Sequence, residues 1–206
     1  MVLERTVREL QGTPCIDLEH SPAPKKEIAC TRSFGHPVTS LIHLTEAVTK
    51  FASRAAEKVR KQHSQASQVL VFIRTSPFRS EPQYSRSTTV PLRRPSADTG
   101  QIVHAALDGL KAIYREGFKY AKAGVMLLDL QPDHQQQREL DLEDDRGADR
   151  PQLMTALDGL NRRYGKGTVL MGSAGLDGDR RTWSMKQERR TPGYTTRWTE
   201  IPVARA

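Results

Sequence analysis

Two stretches of the chain carry apolar residues at helical spacing. Between residues 41 and 62, and again between 99 and 117, apolar positions recur every three or four residues, with polar and basic residues between them. This spacing is typical of amphipathic helices that turn one side toward a core. The second helix is expected to end at Gly117, because glycine favours helix ends. The predicted inward sides consist of Leu44, Val48, Phe51, Ala55 and Val59 in the first helix and Ile102, Ala106, Leu110 and Ile113 in the second.

Four further stretches have the composition of β-strands. They are apolar or alternating segments bounded by polar residues: EIACTRSFG, QVLVFIRTS, YSRSTTVPL and AGVMLLDL. The second and third are predicted to form a hairpin across PFRSEP. Residues 27–130 therefore predict the order β-α-β-β-α-β, a split βαβ arrangement in which two helices cover one face of a sheet. The other face of the sheet is expected to stay open.

Three flanking segments complete a predicted α+β fold. Residues 1–26 predict a short helix that ends at Gly12, followed by a polar tether. Residues 131–150 predict an acidic linker, since residues 138–149 hold six Asp and Glu against two Arg. Residues 151–206 predict a small α+β C-terminal domain.

This small domain is expected to have a core of its own. Short strands are predicted at TVLM and TWSM. Because so short a segment has little apolar material, Trp183 and Trp198 are assigned to its core. The expected inner side of its helix consists of Leu153, Leu157, Leu160 and Tyr164.

Charge and composition narrow the class of protein. The 206 residues carry a formal net charge of +8 with a pI near 9.7, which favours a polyanionic partner. The two cysteines provide no disulfide framework, so a cytoplasmic location is expected. No apolar run approaches the roughly 20 residues of a membrane span, and the charged start MVLERTVREL differs from a signal peptide. No membrane partner is therefore expected.

Residue patterns typical of catalysis or metal binding are missing from the sequence. The six histidines are dispersed and have no zinc-type spacing with the cysteines. No Ser or Cys lies in a nucleophile motif, and the densest carboxylates, at 143–145, lie in the predicted linker. We therefore predict no catalytic residue, no metal site and no cofactor in this chain.

Several segments of the chain, in a fixed order, resemble one known family. They are ERTVRELQGTPC, EIACTRSFG, FASRAAEKVRKQ, FIRTSPF, YAKAGVMLLDL, QLMTALDGLNRRYGKGT and RRTPGYTTRWTEIPVA. Through them the chain is similar throughout to the C-terminal half of UmuC-type Y-family translesion DNA polymerases. This resemblance implies that residues 1–12 match the last thumb helix, that 27–130 match the little finger, and that 150–206 match a small C-terminal domain.

The departure from the family concerns its catalytic half. The palm and fingers have no counterpart here, and these carry the family's metal-binding carboxylates. We therefore expect a fragment, a split gene product or a remnant that lacks polymerase activity by itself.

The resemblance implies a non-catalytic role in holding DNA. The family's little finger grips primer–template DNA through backbone phosphates, a contact that Arg, Lys and Ser make without reading sequence. Strand alternation predicts that Arg32, Arg74, Arg86 and Lys122 lie on the open face. Phe34 and Phe78 are both expected to pack in the core or in the hairpin. The predicted DNA-binding residues are Arg32, Ser33, Arg74, Thr75, Ser76, Arg86, Lys119, Lys122, Arg190 and Arg197.

The linker contains a degenerate form of the family's sliding-clamp peptide. In ELDLE, Leu140 and Leu142 occupy the apolar positions, but Glu139 replaces the usual Gln and Glu143 the usual aromatic residue. An aromatic anchor supplies much of the affinity of such peptides. Clamp binding through Leu140 and Leu142 is therefore expected to be weakened.

A second functional class fits the same sequence. The chain could serve as an interaction module for partners of the SOS response, namely a recombinase filament, a UmuD-type subunit or the sliding clamp, with DNA contact incidental. The salt dependence of DNA binding separates the two classes, because phosphate-dominated binding weakens steeply as salt rises.

Overall fold

Strands and helices alternate along the middle of the chain in the predicted order. The computed structural model describes residues 2–15, 23–134, 150–175, 183–186, 191–201 and 203. The helices are α1 (Val2–Leu10), α2 (Leu41–Lys61), α3 (Thr99–Ile113) and α4 (Pro151–Arg163), with short 3-10 helices at Gly172–Ala174 and Trp198–Glu200. The strands are β1 (Ile28–Val38), β2 (Ser64–Thr75), β3 (Ser85–Ser96) and β4 (Tyr120–Pro132).

The four strands form one antiparallel sheet in the order β1-β4-β2-β3. Strand β4 lies between β1 and β2, which α2 connects, and β2 lies between β3 and β4, which α3 connects. Two split βαβ units therefore interlock, each supplying the strand that fills the other. The predicted architecture of residues 27–130 is confirmed.

Both long helices pack on one face of the sheet. Every inward position predicted for α2 and α3 is buried, because the apolar sides of both helices face the sheet. The strand residues beneath them alternate, as a half-buried sheet requires. Those of the two central strands are Val69, Val71 and Ile73 in β2 and Ala123, Val125 and Leu127 in β4.

Helix α3 ends earlier than the sequence indicates. Its last residue is Ile113, whereas Gly117 lies in the following turn with a φ of 89°. Tyr114 leaves the helix in an extended conformation, and its hydroxyl donates to the Thr39 carbonyl at 2.8 Å. Tyr114 thus contacts the residue just before the N-cap of α2, and α3 ends four residues before the glycine.

Helix α4 packs on the helical layer through an ion pair. The guanidinium of Arg60 in α2 donates to both carboxylate oxygens of Asp158 at 2.7 Å each. It also donates to the Ala97 carbonyl at 2.7 Å and the Thr99 hydroxyl at 3.0 Å. Bidentate pairs of this kind fix orientation as well as distance. Met154, one turn before Asp158, is buried beside them.

A buried carboxylate holds the start of α4. The side chain of Asp98 is 0% exposed and accepts two hydrogen bonds from Arg150, at 2.9 and 3.0 Å. It also caps α3, accepting from the backbone N–H groups of Gly100 and Gln101. Burial alone would raise the pKa of Asp98, but the hydrogen bonds from Arg150, Gly100 and Gln101 outweigh burial and lower that pKa.

Residues 183–186 pack against α2 and β1. Trp183 is 5% exposed, meets the Phe51 ring edge-on with centroids 6.1 Å apart, and donates to Glu46 at 3.1 Å. The Gly35 N–H donates to the Ser184 carbonyl at 2.9 Å. A Cβ on Gly35 would lie 2.7 Å from that carbonyl oxygen, so only glycine allows this approach.

The C-terminal segment therefore differs from the expected self-contained core. Leu153, Leu160 and Tyr164 are exposed, because the side of α4 that faces the protein carries Met154 and Asp158 instead. The structure has no strand at residues 168–171 or 183–185. Trp183 is buried as predicted, but against α2.

The assignment of Trp198 to a core is wrong. Its side chain is 89% exposed. Residues 191–201 form a local turn, in which the N–H groups of Thr196 and Arg197 donate to the Gly193 carbonyl at 2.9 and 2.7 Å. Such local bonds hold the backbone without burying the indole.

Truncating the two tryptophans should have very different effects on the free energy of unfolding. Trp183→Ala is expected to lower the free energy of unfolding by about 3 kcal/mol, since it removes a buried ring. Trp198→Ala should change it by less than about 0.5 kcal/mol, since little is buried there. Denaturant unfolding followed by circular dichroism measures both, and a large loss in Trp198→Ala would contradict the observed exposure.

The Asp98 carboxylate should make stability sensitive to acid. Because its pKa is lowered on folding, its contribution is fully present above the unfolded value of about 4 and is lost as pH falls through the folded value. The difference in unfolding free energy between the parent and Asp98→Asn should therefore shrink as pH falls from about 5 to 2. Asp108→Asn, an exposed change on the same helix, is the control. A pH-independent difference would contradict this role.

Candidate nucleic-acid interface

The open face of the sheet carries two adjacent cations. Arg74 of β2 pairs in register with Lys122 of β4. Ser33 of β1 lies opposite Lys122, and Ser85 of β3 lies opposite Arg74. Ser33, Lys122, Arg74 and Ser85 thus form one row across all four strands, here called the cationic row. With neighbouring strands about 4.8 Å apart, the row is about 14 Å long.

No carboxylate neutralises these cations in the described ranges. Neither Arg74 nor Lys122 makes an ion pair or side-chain hydrogen bond with any residue there. Like charges directly opposite each other destabilise a sheet. The arrangement therefore costs the folded protein some stability and suits an anionic ligand that bridges the two side chains.

An aromatic ring lies beside the cationic row on the open face. In the next row, Phe72 and Thr31 flank Gly124 from either side. A Cβ on Gly124 would lie 2.4 Å from the Thr31 methyl and 2.5 Å from the Phe72 ring. Because Gly124 has no side chain, the Phe72 ring can lie over its backbone. On the open face, the Phe72 ring therefore lies two residues along β2 from Arg74.

Arg32 and Arg86 do not share this face, contrary to the prediction. Arg32 pairs in register with Ala123, and Arg86 with Ile73, both of which point toward the helices. The Arg32 guanidinium lies 3.4 Å from the sulfur of Met185. Consecutive strand residues point to opposite faces, so Ser33 lies on the open face and Arg32 on the other.

Thr75 belongs to the hairpin rather than to an exposed surface. It is 8% exposed, and its hydroxyl donates to Gln83 at 2.8 Å and accepts from the Tyr84 N–H at 3.0 Å. A phosphate contact would compete with both bonds, so Thr75 is left out of the candidate interface. Ser76 is half-buried at the start of the loop, where its carbonyl accepts from the Arg79 N–H at 3.5 Å.

Lys119 is exposed but has an acidic partner. Its ammonium group lies 2.7 Å from a carboxylate oxygen of Glu81. The hydrogen bond from Lys119 lowers the pKa of Glu81 below its ordinary value. Lys119 thus ties the β2–β3 loop to the α3–β4 connection, and an anion would have to compete with Glu81 for it.

The C-terminal residues assigned to DNA lie apart from the cationic row in sequence. Arg197 is exposed and pairs with Glu200 at 2.9 Å. The pKa of Glu200 is lowered by a hydrogen bond from the Gly193 N–H and then by one from Arg197. Arg190, Leu140 and Leu142 lie outside the described residues.

Two residues, Ser85 and Phe78, differ from the sequence-based expectation. Ser85 follows from the hairpin register, because it is the residue opposite Arg74. Phe78 was expected to pack, yet it is 96% exposed. Phe34 is half-buried against the core, as expected. A PFRSEP loop gives no local signal of which way its aromatic ring points.

The described residues contain neither a cluster of metal-binding side chains nor a membrane-spanning helix. No three His, Cys, Asp or Glu side chains within them come together in a way that could hold a metal ion. None of the described helices combines the length and apolar character needed to cross a bilayer.

Comparison with known families identifies the chain's relatives. Residues 25–140 match the impB/mucB/samB family C-terminal domain, and residues 151–204 match a domain of unknown function, DUF4113. The chain belongs to the impB/mucB/samB family. This confirms the resemblance to UmuC-type proteins that the motifs indicated.

Individual proteins agree with the family match. Protein UmuC of Salmonella typhimurium LT2 is 43% identical over 204 residues, which are 98% of this chain and 47% of that protein. Protein SamB of Salmonella typhimurium is 43% identical, covering 100% of this chain and 48% of its own. Protein MucB of Escherichia coli is 42% identical, over 99% of this chain and 47% of that protein. The chain thus spans about half the length of the curated relatives it matches.

Solved structures give weaker similarities. A Y-family DNA polymerase chimera, Dbh-Dpo4(243-245)-Dbh, aligns with a TM-score of 0.41 at 12% identity over 61% of this chain and 34% of its own. The complex of the beta-clamp processivity factor and the little finger domain of PolIV aligns with a TM-score of 0.36 at 15% identity. This alignment covers 57% of this chain and 99% of that chain.

Removing one cation from the row should stabilise the protein. Arg74→Thr relieves the repulsion with Lys122 and introduces a residue that favours strands, so the free energy of unfolding should rise by about 0.2–1 kcal/mol at low salt. In about 1 M salt, which screens exposed charges, the gain should shrink. Arg86→Thr is the matched control, since Arg86 lies opposite Ile73. Equal salt-dependent gains in both variants would contradict the assigned repulsion.

Proposed function

We propose that the chain is the DNA-holding part of a translesion polymerase and that its cationic row contacts backbone phosphates of primer–template DNA. One observation carries the proposal: Arg74 and Lys122 lie side by side, without an acidic partner in the described ranges, between two serines on an open sheet face. Membership in the impB/mucB/samB family supports it.

The chemistry of the row suits phosphate. Arginine presents several donors in a planar fork, lysine adds a compact positive charge, and both bind phosphate oxygens. Serine hydroxyls on either side can donate further hydrogen bonds. None of these groups distinguishes one base pair from another when it contacts the backbone, so binding should be independent of sequence.

The width of the sheet also favours backbone contacts. The outer strands lie about 14 Å apart, whereas the major groove of B-DNA is about 12 Å wide and admits a helix or a two-stranded ribbon. A four-stranded sheet is therefore too broad to enter the groove and would lie across it. Its cations would then meet phosphates rather than base edges.

A second candidate function has support in the C-terminal segment. Leu153, Leu160 and Tyr164 form an exposed apolar side of α4, and Trp198 and Val203 are exposed beyond it. Exposed apolar patches often mark protein-binding surfaces. This segment could therefore dock on an SOS partner, such as the recombinase filament or a UmuD-type subunit.

DNA affinity should depend on the open face and on salt. Arg74→Ala combined with Lys122→Ala should weaken duplex binding roughly tenfold for unrelated sequences. It should also reduce the slope of log affinity against log salt by about 1.8, since two phosphate contacts are lost. Fluorescence anisotropy with labelled duplexes at several salt concentrations measures both quantities.

The control removes the same charge from the other face. Arg32→Ala combined with Arg86→Ala should leave most of the affinity and slope intact, because both residues lie on the helix-bearing face. Equal losses in the two double variants would indicate non-specific attraction and contradict the assigned face. A parent protein that barely binds DNA at any salt concentration would instead favour the protein-docking function.

A further inference from the structure

The tip of the β2–β3 hairpin presents an aromatic side chain to solvent. Phe78 is 96% exposed, the most exposed large apolar side chain among the described residues. Burying a phenylalanine is one of the larger favourable contributions that a single side chain can make. Because almost none of the Phe78 ring is buried, it contributes little to the stability of the described structure.

The loop that carries Phe78 is built from specific hydrogen bonds. The amide nitrogen of Gln83 donates to the carbonyls of Arg79 at 2.7 Å and Glu81 at 3.1 Å. The amide oxygen of Gln83 accepts from the Thr75 hydroxyl at 2.8 Å. One side chain thus binds the loop from the inside, and this leaves Phe78 on the outside.

Contacts outside the loop fix its far end. Glu81 pairs with Lys119 at 2.7 Å. The Tyr84 ring packs on Phe118 with centroids 4.7 Å apart, and its hydroxyl donates to the Ile113 carbonyl at 2.6 Å. The loop is therefore attached to the α3–β4 connection, and Phe78 is presented at a defined position, which limits the entropy lost on binding.

The surroundings of Phe78 are cationic. Arg79 follows it and is exposed, and Lys119 already neutralises Glu81, the one carboxylate of residues 76–84. Phe78 comes four residues after Arg74, so the two Cα atoms lie at most about 14 Å apart. Since nucleotides of one strand rise about 3.4 Å each along the duplex, DNA held at Arg74 would pass within a few nucleotides of Phe78.

We infer that Phe78 stacks on an unpaired base next to the duplex that the cationic row holds. The inference rests on the proposed function. An exposed ring among cations is the arrangement that binds single-stranded nucleic acid, with bases on the ring and phosphates on the charges. A paired base has both faces covered by its neighbours, and insertion into a duplex costs unstacking. The unpaired template beyond a primer end offers a free base face.

The test uses the full chain and three DNAs of equal duplex length. One is blunt, one has a 5′ overhang, and one has the same overhang with abasic sites at its first unpaired positions. Phe78→Ala should weaken binding to the overhang about tenfold and leave the blunt and abasic DNAs within about twofold. Phe78→Trp should retain overhang binding. The salt slope should stay unchanged in Phe78→Ala, since no phosphate contact is lost.

The outcomes separate this inference from the proposed function. A parent that binds all three DNAs, together with a Phe78→Ala variant that binds them equally well, overturns the stacking role and leaves the DNA-holding function standing. An equal loss on all three DNAs also overturns it, because the contact would then be to the duplex. A parent that binds none of them overturns both proposals. Circular dichroism checks that the variants are folded.

Discussion

The pairing of β2 with β4 is the constraint on which the rest of the structure depends. In this register Val71 meets Val125 and Ile73 meets Ala123 beneath the helices, while Arg74 meets Lys122 on the other face. Strand side chains alternate, so a shift of one residue would move the cations into the core and the apolar residues into water. The energy of the core therefore also fixes the two charges next to each other. The cationic row needs no additional element to position it, because its geometry follows from the packing beneath it.

The element order could be read from the sequence because it rests on local periodicity. The inward positions of α2 and α3 and the alternation of β2 depend on residues a few places apart, which a single chain displays directly. The pairing of distant strands depends on their register, which a single sequence does not display. Arg32 illustrates the difference: it adjoins Ser33 in sequence but points to the other face, since β1 pairs Arg32 with Ala123. Likewise, Ser85 joins the cationic row only once the hairpin register is known.

The C-terminal segment shows the same limit at longer range. The leucines of its helix lie on one side, and the sequence predicts that this side is buried. The structure uses the side with Met154 and Asp158, because α2 offers Arg60 as a partner 98 residues away. A bidentate ion pair between such distant residues produces no periodic pattern in the sequence. Asp98 couples the two parts further, since one buried carboxylate caps α3 and holds Arg150 at the same time.

The contact between Gly35 and Ser184 has a consequence for how copies of this protein behave toward one another. The strand β1 lies at one border of the sheet, and exposed strand borders recruit further strands by backbone pairing, which leads to aggregation. The Ser184 carbonyl occupies a Gly35 N–H that could otherwise begin such pairing. At the opposite border, β3 contains Pro91 and Pro95, which have no N–H to offer. A sheet that leaves one broad face open thus discourages edge-to-edge association at both of its borders.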